Sequence, residues 1–269
     1  MKSNYVTPYY KNYRFRRFAS TAKRYTPNKI GYSPRPYAAW KSRVPNRSIS
    51  AVVDLFGDPS SRQYKRKELS ETQHGSDYVV QNNRYVSTYV TLPSKSRTQI
   101  NNRLRSYIKL NKLYINGTCY VHTNGMETDT SNVQMLFGLL SIVVVRDKLP
   151  KLYSSAEPFM PFPSLFGSIE SCRGVLKVAE QYKDRFVLLK HTSVMVNSPD
   201  GVVMRQFKTG NCIPNSYTTW SSFKDDDEDN LSGQYSNTSR NALLVYYVWL
   251  SDVPSQVDLY SHINLKYIG

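Results

Sequence analysis

The sequence lacks the short motifs around which most catalytic and metal sites are built. Neither a G-x-S-x-G nucleophile turn nor a G-x-x-x-x-G-K-[ST] phosphate-binding loop occurs in the chain. The four histidines, His74, His122, His191 and His262, have no partner at the spacing of a metal site. We therefore expect a protein that is not an enzyme and that holds no metal and no other cofactor.

Cysteine and long apolar runs are also scarce. Cys119, Cys172 and Cys212 are odd in number and far apart, which favours reduced thiols in a reducing compartment over a disulfide framework. The longest apolar run, residues 135–145, falls short of the roughly 20 residues that span a bilayer. The N-terminus has no apolar signal core, so we expect a soluble protein, or one that is peripheral at a membrane at most.

Acidic residues are missing from the start of the chain, where the first is Asp54. Before it, residues 1–47 carry twelve Lys or Arg side chains and ten aromatic ones. The whole chain has a net charge of +16, and the part after residue 47, with 24 basic and 20 acidic residues, is nearly balanced. The N-terminal segment therefore needs a polyanion as partner, and its interleaved rings favour one with unpaired bases on which they can stack.

Five prolines interrupt the same N-terminal segment, which also shows no sustained apolar period. We expect residues 1–75 to form a largely disordered basic arm. Two of its basic clusters are typical of nuclear import signals, although they could instead contact only phosphate. The import candidates are Lys11, Arg14, Arg16, Arg17, Lys23, Arg24 and Lys29. The candidates for stacking on DNA are Tyr13, Phe15, Phe18 and Tyr25. A later cluster, residues 62–67, belongs either to the arm or to the edge of the fold.

From residue 76 onward the sequence pattern is typical of an all-β fold. Short runs rich in Val, Ile, Tyr, Thr and Leu alternate with Asn, Gly, Pro and Ser, which predicts strands with long connections. Strands are expected at 85–92, 106–121, 135–146, 186–196, 202–207, 242–251 and 257–267. A β-bulge near Asn111 and Lys112 would restore one inward face along the second of these. The expected fold of residues 76–269 is a jelly-roll-like β-sandwich, with residues 174–185 as a candidate amphipathic helix.

A second basic stretch lies inside the predicted sandwich, because no acidic residue occurs between Asp77 and Glu127. On strand geometry, Lys109 lies on the face opposite Ile108 and Leu110, where it joins a basic outer surface that is able to bind nucleic acid. The alternative is a solvated face that only keeps the protein soluble. The candidates, for DNA binding or import, are Arg84, Lys95, Arg97, Arg103, Arg105, Lys109 and Lys112.

Two further segments have alternative interpretations. The acidic run at 225–229 lacks the spaced ligands of a calcium loop, so we expect a solvated, mobile loop. Spaced apolar residues typical of nuclear export signals occur at 136–144, which we assign to a core strand, and at 175–196, which we expect to be more accessible. The export candidates are Leu176, Val178, Phe186, Leu188, Leu189, Val194 and Val196.

Five segments carry a family resemblance: 105–113, 182–186, 220–224, the motif YSNTSRNALLVYYVWLSD at 235–252, and the terminal YIG. They resemble the nuclear shuttle proteins of bipartite begomoviruses, plant geminiviruses with single-stranded DNA genomes. The region around 241–244 is also similar to geminivirus coat proteins. The likeness covers most of residues 100–269, and the acidic run at 225–229 departs from it.

The resemblance implies binding of viral single-stranded DNA, or also double-stranded DNA, without strong sequence preference. It further implies shuttling between host nucleus and host cytoplasm by nuclear import and export receptors, and transfer of the DNA to the viral movement protein for cell-to-cell spread. Import signals would lie at 11–29 and between 84 and 105, and an export region at about 175–196. Further implied partners are a host acetyltransferase and receptor-like kinases, with peripheral association at the cytoplasmic face of the host plasma membrane.

One alternative function shares these features. A capsid (coat) subunit that packages single-stranded DNA would also combine a basic arm with a jelly roll. The usable export segment favours transport over the capsid.

Overall fold

The computed structural model describes residues 66–96, 101–123, 135–155, 157–213, 219–226 and 231–269. They contain eleven strands and one short α-helix, together with 3₁₀ turns. The strands are β1 (Arg66–Gln73), β2 (Val79–Gln81), β3 (Arg84–Tyr89), β4 (Tyr107–Thr123), β5 (Leu136–Asp147), β6 (Phe186–Ser198), β7 (Val202–Lys208), β8 (Trp220–Phe223), β9 (Thr238–Arg240), β10 (Ala242–Ser251) and β11 (Ser255–Ile268). The helix α1 is Phe162–Phe166. The predicted arm lies outside the described residues except for its last segment.

Eight of the strands form two antiparallel sheets in jelly-roll order. The first sheet contains β1, β11, β4 and β7 as neighbours, and the second contains β3, β10, β5 and β6. Along the chain, the path crosses repeatedly between the two sheets, which is the connectivity of two interleaved Greek keys. Strand β2 extends the first sheet beside β11, and β8 and β9 extend it beside the start of β4. The prediction of an all-β, jelly-roll-like sandwich is confirmed.

Strand β4 shows why the first sheet has a distinct outer face. Ile108 and Leu110 are fully buried between the sheets, whereas Lys109 between them lies on the opposite side. The pairing with β11 shifts by one residue, because Lys266 lies opposite Lys112 while Tyr267 lies opposite Leu110. Asn111 is thus the extra residue of a β-bulge, as the alternation of the sequence predicts.

Strand β10 is the central strand of the second sheet and has no exposed residue. Tyr247 and Trp249 point into the core between the sheets, while Tyr246 and Val248 belong to a second core on the other side. The segment from about 157 to 186, including α1, covers this second side with Phe162, Leu165, Phe166 and Leu176. The all-apolar sequence of β10 therefore reflects burial on both faces.

Two local predictions differ from the structure. Residues 174–185 do not form the predicted amphipathic helix, and among them only Glu180–Tyr182 form a 3₁₀ turn. Leu176 is buried in the second core, but the residues after it do not repeat apolar side chains at helical spacing. Strand β1 lies within the predicted arm, with the edge of the fold as the alternative for residues 62–67, and it pairs with β11 along its whole length. Residues 66–73 are therefore an edge strand of the sandwich.

Candidate nucleic-acid interface

An exposed pair of aromatic rings lies on the outer face of the first sheet. Tyr107 begins β4 and Trp220 begins β8, and the two strands are directly paired there. Their ring centroids are 5.7 Å apart in an edge-to-face arrangement, and each residue is 40% exposed. Large aromatic residues usually bury most of their surface, so this pair offers ring faces to a partner.

Two cations flank these rings. The Arg105 guanidinium donates a hydrogen bond of 2.6 Å to the Tyr107 hydroxyl and lies 5.7 Å from the centre of its ring. Lys109, directly opposite Trp220 in the sheet, holds its Nζ 5.9 Å from the centre of the Trp220 ring. We call Arg105, Tyr107, Lys109 and Trp220 the basic aromatic patch. Rings for stacking beside cations for phosphate are the combination that single-stranded nucleic acids require.

The positive charge continues from the patch across the neighbouring strands. Lys112 is exposed on β4 and lies opposite Lys266 of β11, and Arg66 of β1 lies in the same row as Lys109. Lys266 is partly balanced by Glu68, at 3.3 Å. The outer face of the first sheet is therefore basic over three strands beside the aromatic pair.

Arg103, predicted for this surface, lies instead in the interior. It is fully buried, and its guanidinium forms two hydrogen bonds with the Asp225 carboxylate, at 2.5 and 2.7 Å. It also donates to the carbonyl oxygens of Pro93 and Arg105 and lies 3.7 Å from the centre of the Phe223 ring. Because Arg103 is fully buried and its donors are used inside the fold, one of them on the Arg105 carbonyl, it is not available to contact DNA.

Asp225 corrects the interpretation of the acidic run. Its side chain is only 4% exposed, and the Arg103 guanidinium beside it holds the pKa of the carboxyl well below its usual range. Lys95 approaches the same carboxylate to 3.4 Å, and Asn237 accepts a hydrogen bond from the Asp225 backbone N–H. The first residue of the run is therefore a buried counter-ion, not part of a solvated loop.

The predicted second basic stretch is thus divided by the structure. Lys109 and Lys112 lie on the outer face of the first sheet, and Arg105 reaches that face through its hydrogen bond to Tyr107. Lys95 and Arg103 instead pair with Asp225. Arg84 is exposed on β3 in the second sheet. Arg97 lies outside the described residues, as do the import candidates from Lys11 to Lys29 and the four stacking candidates of the arm.

The predicted export segment is more buried than expected. Leu176, Phe186 and Val196 are core residues, and Val178, Leu188, Leu189 and Val194 pack against the two cores. Arg185 fixes the middle of this segment to β5 through hydrogen bonds of 3.0 and 2.8 Å with the buried Asp147 carboxylate, which also raises the pKa of Arg185. The large apolar side chains of this segment that are exposed are Val175 and Met195.

All three cysteines are free and buried, and burial raises the pKa of Cys119 and of Cys172 to about 11. Within the described ranges, no group of three His, Cys, Asp or Glu residues could hold a metal ion. No helix in the part of the chain that the structure describes is long and apolar enough to cross a membrane.

Trp220 and Tyr107 are functional candidates that the sequence does not single out. Both lie in segments that carry the family resemblance, but the strand that Trp220 begins has only four residues and the sequence predicts no role for either ring. Trp220 and Phe223 are an odd number of positions apart, so a strand through both places the two aromatic side chains on opposite faces. Phe223 is buried and Trp220 is exposed, in agreement with that spacing.

Comparisons with known proteins agree with the resemblance seen in the sequence. A family model described as geminivirus coat protein/nuclear export factor BR1 family matches residues 3–269. The chain is 43% identical over 236 residues to the nuclear shuttle protein of Indian cassava mosaic virus, covering 87% of this chain and 90% of that protein. It is 34% identical over 208 residues to the nuclear shuttle protein of squash leaf curl virus, covering 76% and 79%.

One solved structure gives a much weaker match. VP1 of Trichodysplasia spinulosa-associated polyomavirus, in complex with sialylated precision glycooligomers, covers 76% of this chain and 98% of its own at 10% identity, with a TM-score of 0.13. A similarity of this size supports no conclusion about fold or function.

Proposed function

The chain belongs to the geminivirus coat protein/nuclear export factor BR1 family, and from that premise we propose that it binds viral single-stranded DNA and carries it between host nucleus and host cytoplasm. The relatives at 43% and 34% identity are named nuclear shuttle proteins, which supports the shuttling role. In the cytoplasm the protein transfers the DNA to the viral movement protein for cell-to-cell spread.

The basic aromatic patch is the observation that carries the DNA-binding part of this proposal. A single strand contacts the patch by stacking an unpaired base on Trp220 or Tyr107, while Arg105 and Lys109 neutralise the neighbouring phosphates. These contacts involve the face of a base and the charge of a phosphate, and none of them involves the hydrogen-bonding edge that distinguishes one base from another. At the patch we therefore expect little sequence preference.

Replacing Trp220 with Ala tests the patch directly. We expect the dissociation constant for a fluorescent oligo(dT) strand, measured by anisotropy, to rise by a factor that corresponds to about 1–3 kcal/mol, because one stacking surface is lost. Trp220→Phe keeps a ring and should retain most of the affinity. Unchanged affinity of a Trp220→Ala protein that is folded by circular dichroism would argue against the patch.

Shuttling requires an import and an export signal. The basic clusters between Lys11 and Lys29 are the proposed import element, supported by the density of Lys and Arg there. For export, we propose the segment 175–196. The burial of Leu176, Phe186 and Val196 means that a receptor must either bind exposed side chains such as Val175 and Met195 or open the edge strand β6.

Live-cell localisation tests the shuttling proposal. A fluorescent fusion of the full chain in plant cells should be distributed between nucleus and cytoplasm, and an inhibitor of nuclear export should concentrate it in the nucleus. A distribution that the inhibitor leaves unchanged would contradict active export.

An Arg185→Ala fusion, in which the 175–196 segment loses its anchor to Asp147, should leave the nucleus faster if β6 has to open.

Further partners are carried over from the family as part of the proposal. They are the nuclear import and export receptors, a host acetyltransferase and receptor-like kinases, with peripheral association at the cytoplasmic face of the host plasma membrane. Pull-down of the movement protein by the full chain, with and without bound DNA, tests the transfer step.

A structural capsid role is the second candidate, because the family includes coat proteins and the described residues form a jelly roll. Electron microscopy of the protein mixed with circular single-stranded DNA distinguishes the two candidates. Closed, regular shells would support a capsid subunit, whereas open or irregular complexes would support transport.

A further inference from the structure

A cleft lies on the outer face of the first sheet, along β4 from the basic aromatic patch. It has a volume of about 510 Å³, within the range of small-ligand sites. Its polar lining comes from two rows that each cross three strands: His262, Asn116 and Lys208 in one, and Tyr260, Thr118 and Gln206 in the other. Asn116 is seven positions from Lys109, so the cleft lies about 20 Å from the patch on the same face.

We propose that this cleft binds an unpaired nucleobase together with an adjacent phosphate, as a second contact point for the strand that the patch binds. The proposal rests on the DNA-binding role proposed above and adds a site to it. We call the six polar and aromatic lining residues the nucleobase cleft.

Tyr260 supplies the stacking surface of the cleft. It is 54% exposed although it lies in the middle of β11, and the ring of His74 stacks against it at 5.4 Å with an interplanar angle of 22°. This contact restricts the orientation of the Tyr260 ring before any ligand arrives. A pre-oriented aromatic ring loses little conformational entropy when a base stacks on it.

Asn116 supplies an acceptor that lacks a partner. Its Oδ1 atom is buried, and no hydrogen-bond donor within the described residues reaches it. A buried acceptor in this state costs free energy, so rotation of the Asn116 amide toward a donor on the ligand recovers that energy. The exocyclic amines of adenine, cytosine and guanine are donors of this kind, and the Gln206 amide in the next row offers both a donor and an acceptor.

The charges around the cleft orient the phosphate. Lys208 lies directly opposite Asn116, in the row nearer to Lys112 and Lys266, whereas Asp258 lies beyond Tyr260 at the far end. The potential is therefore positive on the side that faces the patch. A strand that stacks one base on Tyr260 and another at Trp220 keeps its phosphates over cations along β4 and avoids the Asp258 carboxylate.

Binding of full-length Tyr260→Ala to an oligo(dC) strand tests the proposal. We expect its dissociation constant to rise about 5- to 160-fold, the range for the loss of one stacked base, and Tyr260→Phe to stay within about 2-fold of the wild type. Tyr153→Ala is the matched control, because Tyr153 is 53% exposed but lies in the loop that follows β5. It should bind as the wild type does.

An abasic strand of the same length separates stacking from other effects. Because it has phosphates but no bases, wild type and Tyr260→Ala should bind it equally. If Tyr260→Ala weakens binding of the abasic strand as much as that of oligo(dC), the ring has only a structural role and the proposal fails. If Tyr260→Ala binds oligo(dC) as the wild type does, the cleft is not a base site, although the DNA-binding function stands. If the wild type itself does not bind, the proposed function fails.

Discussion

Replacing Asp225 with Asn should lower the free energy of unfolding by about 3–5 kcal/mol, because it leaves the buried Arg103 guanidinium without its counter-charge. An amide presents one oxygen and one NH₂ group to a guanidinium that donates at both positions, so one donor also loses its partner. Asn is the least disturbing replacement for the backbone, since residue 225 has a φ of 49° and Asn tolerates this left-handed region. For a body of about 200 residues, the melting temperature should fall by roughly 6–20 °C.

Two controls define what that result means. Asp252 is 77% exposed and reaches Arg173 at 3.4 Å, so Asp252→Asn should leave the melting temperature nearly unchanged. Combining Asp225→Asn with Arg103→Met removes the uncompensated charge and should recover a large part of the loss. If Asp225→Asn is as mild as Asp252→Asn, the ion pair does not support the fold.

The same pair predicts how stability depends on pH. The pKa of Asp225 is depressed in the folded protein, whereas in the unfolded chain it returns to about 3.9. The stabilisation by the ion pair is therefore complete above about pH 4 and is lost progressively as the pH falls below that value. Thermal unfolding between pH 7 and pH 3 should show this decline in the wild type and a weaker one in Asp225→Asn.

The sequence predicts the central strands of this fold better than its edges. An uninterrupted apolar run predicts strand β10, and a one-residue shift in the apolar/polar alternation predicts the bulge at Asn111. Both can be predicted because both patterns are local in the sequence. Strand β1 could not, since an edge strand needs few apolar residues and Arg66, Lys67 and Glu68 look like the end of a basic arm. Strand β8 is too short to show a period.

The candidate interface was predictable as a region but not residue by residue. Arg103 and Arg105 are two positions apart and equally basic, yet one is buried and the other is exposed. The difference arises from Asp225, 122 positions along the chain, which no local pattern connects to Arg103. For the export segment the difficulty is similar, because spaced apolar residues form either a receptor motif or the buried side of a strand.

Deleting residues 1–47 should remove most of the salt-dependent affinity for single-stranded DNA. The segment contains twelve cations and no acidic residue, and each phosphate that it neutralises contributes about 0.7 to the slope of log K against log salt. If all twelve take part, the slope should become shallower by about 8. A protein with 6–10 phosphate contacts loses roughly 10³- to 10⁵-fold in affinity between 50 and 200 mM salt. The truncated protein should lose far less, because the patch and the sheet cations remain.

A variant of the arm with the same net charge distinguishes the contribution of its cations to DNA binding from the contribution of its aromatic rings. Replacing Tyr13, Phe15, Phe18 and Tyr25 with Leu keeps the net charge, so the salt slope should stay the same while the affinity falls at every salt concentration. The deletion removes none of the residues that the structure describes, and its circular dichroism should retain the β-sheet signal. An unchanged slope after the deletion would mean that the arm does not neutralise phosphate. The sheet cations around Lys109 and Lys112 would then have to account for the whole electrostatic contribution.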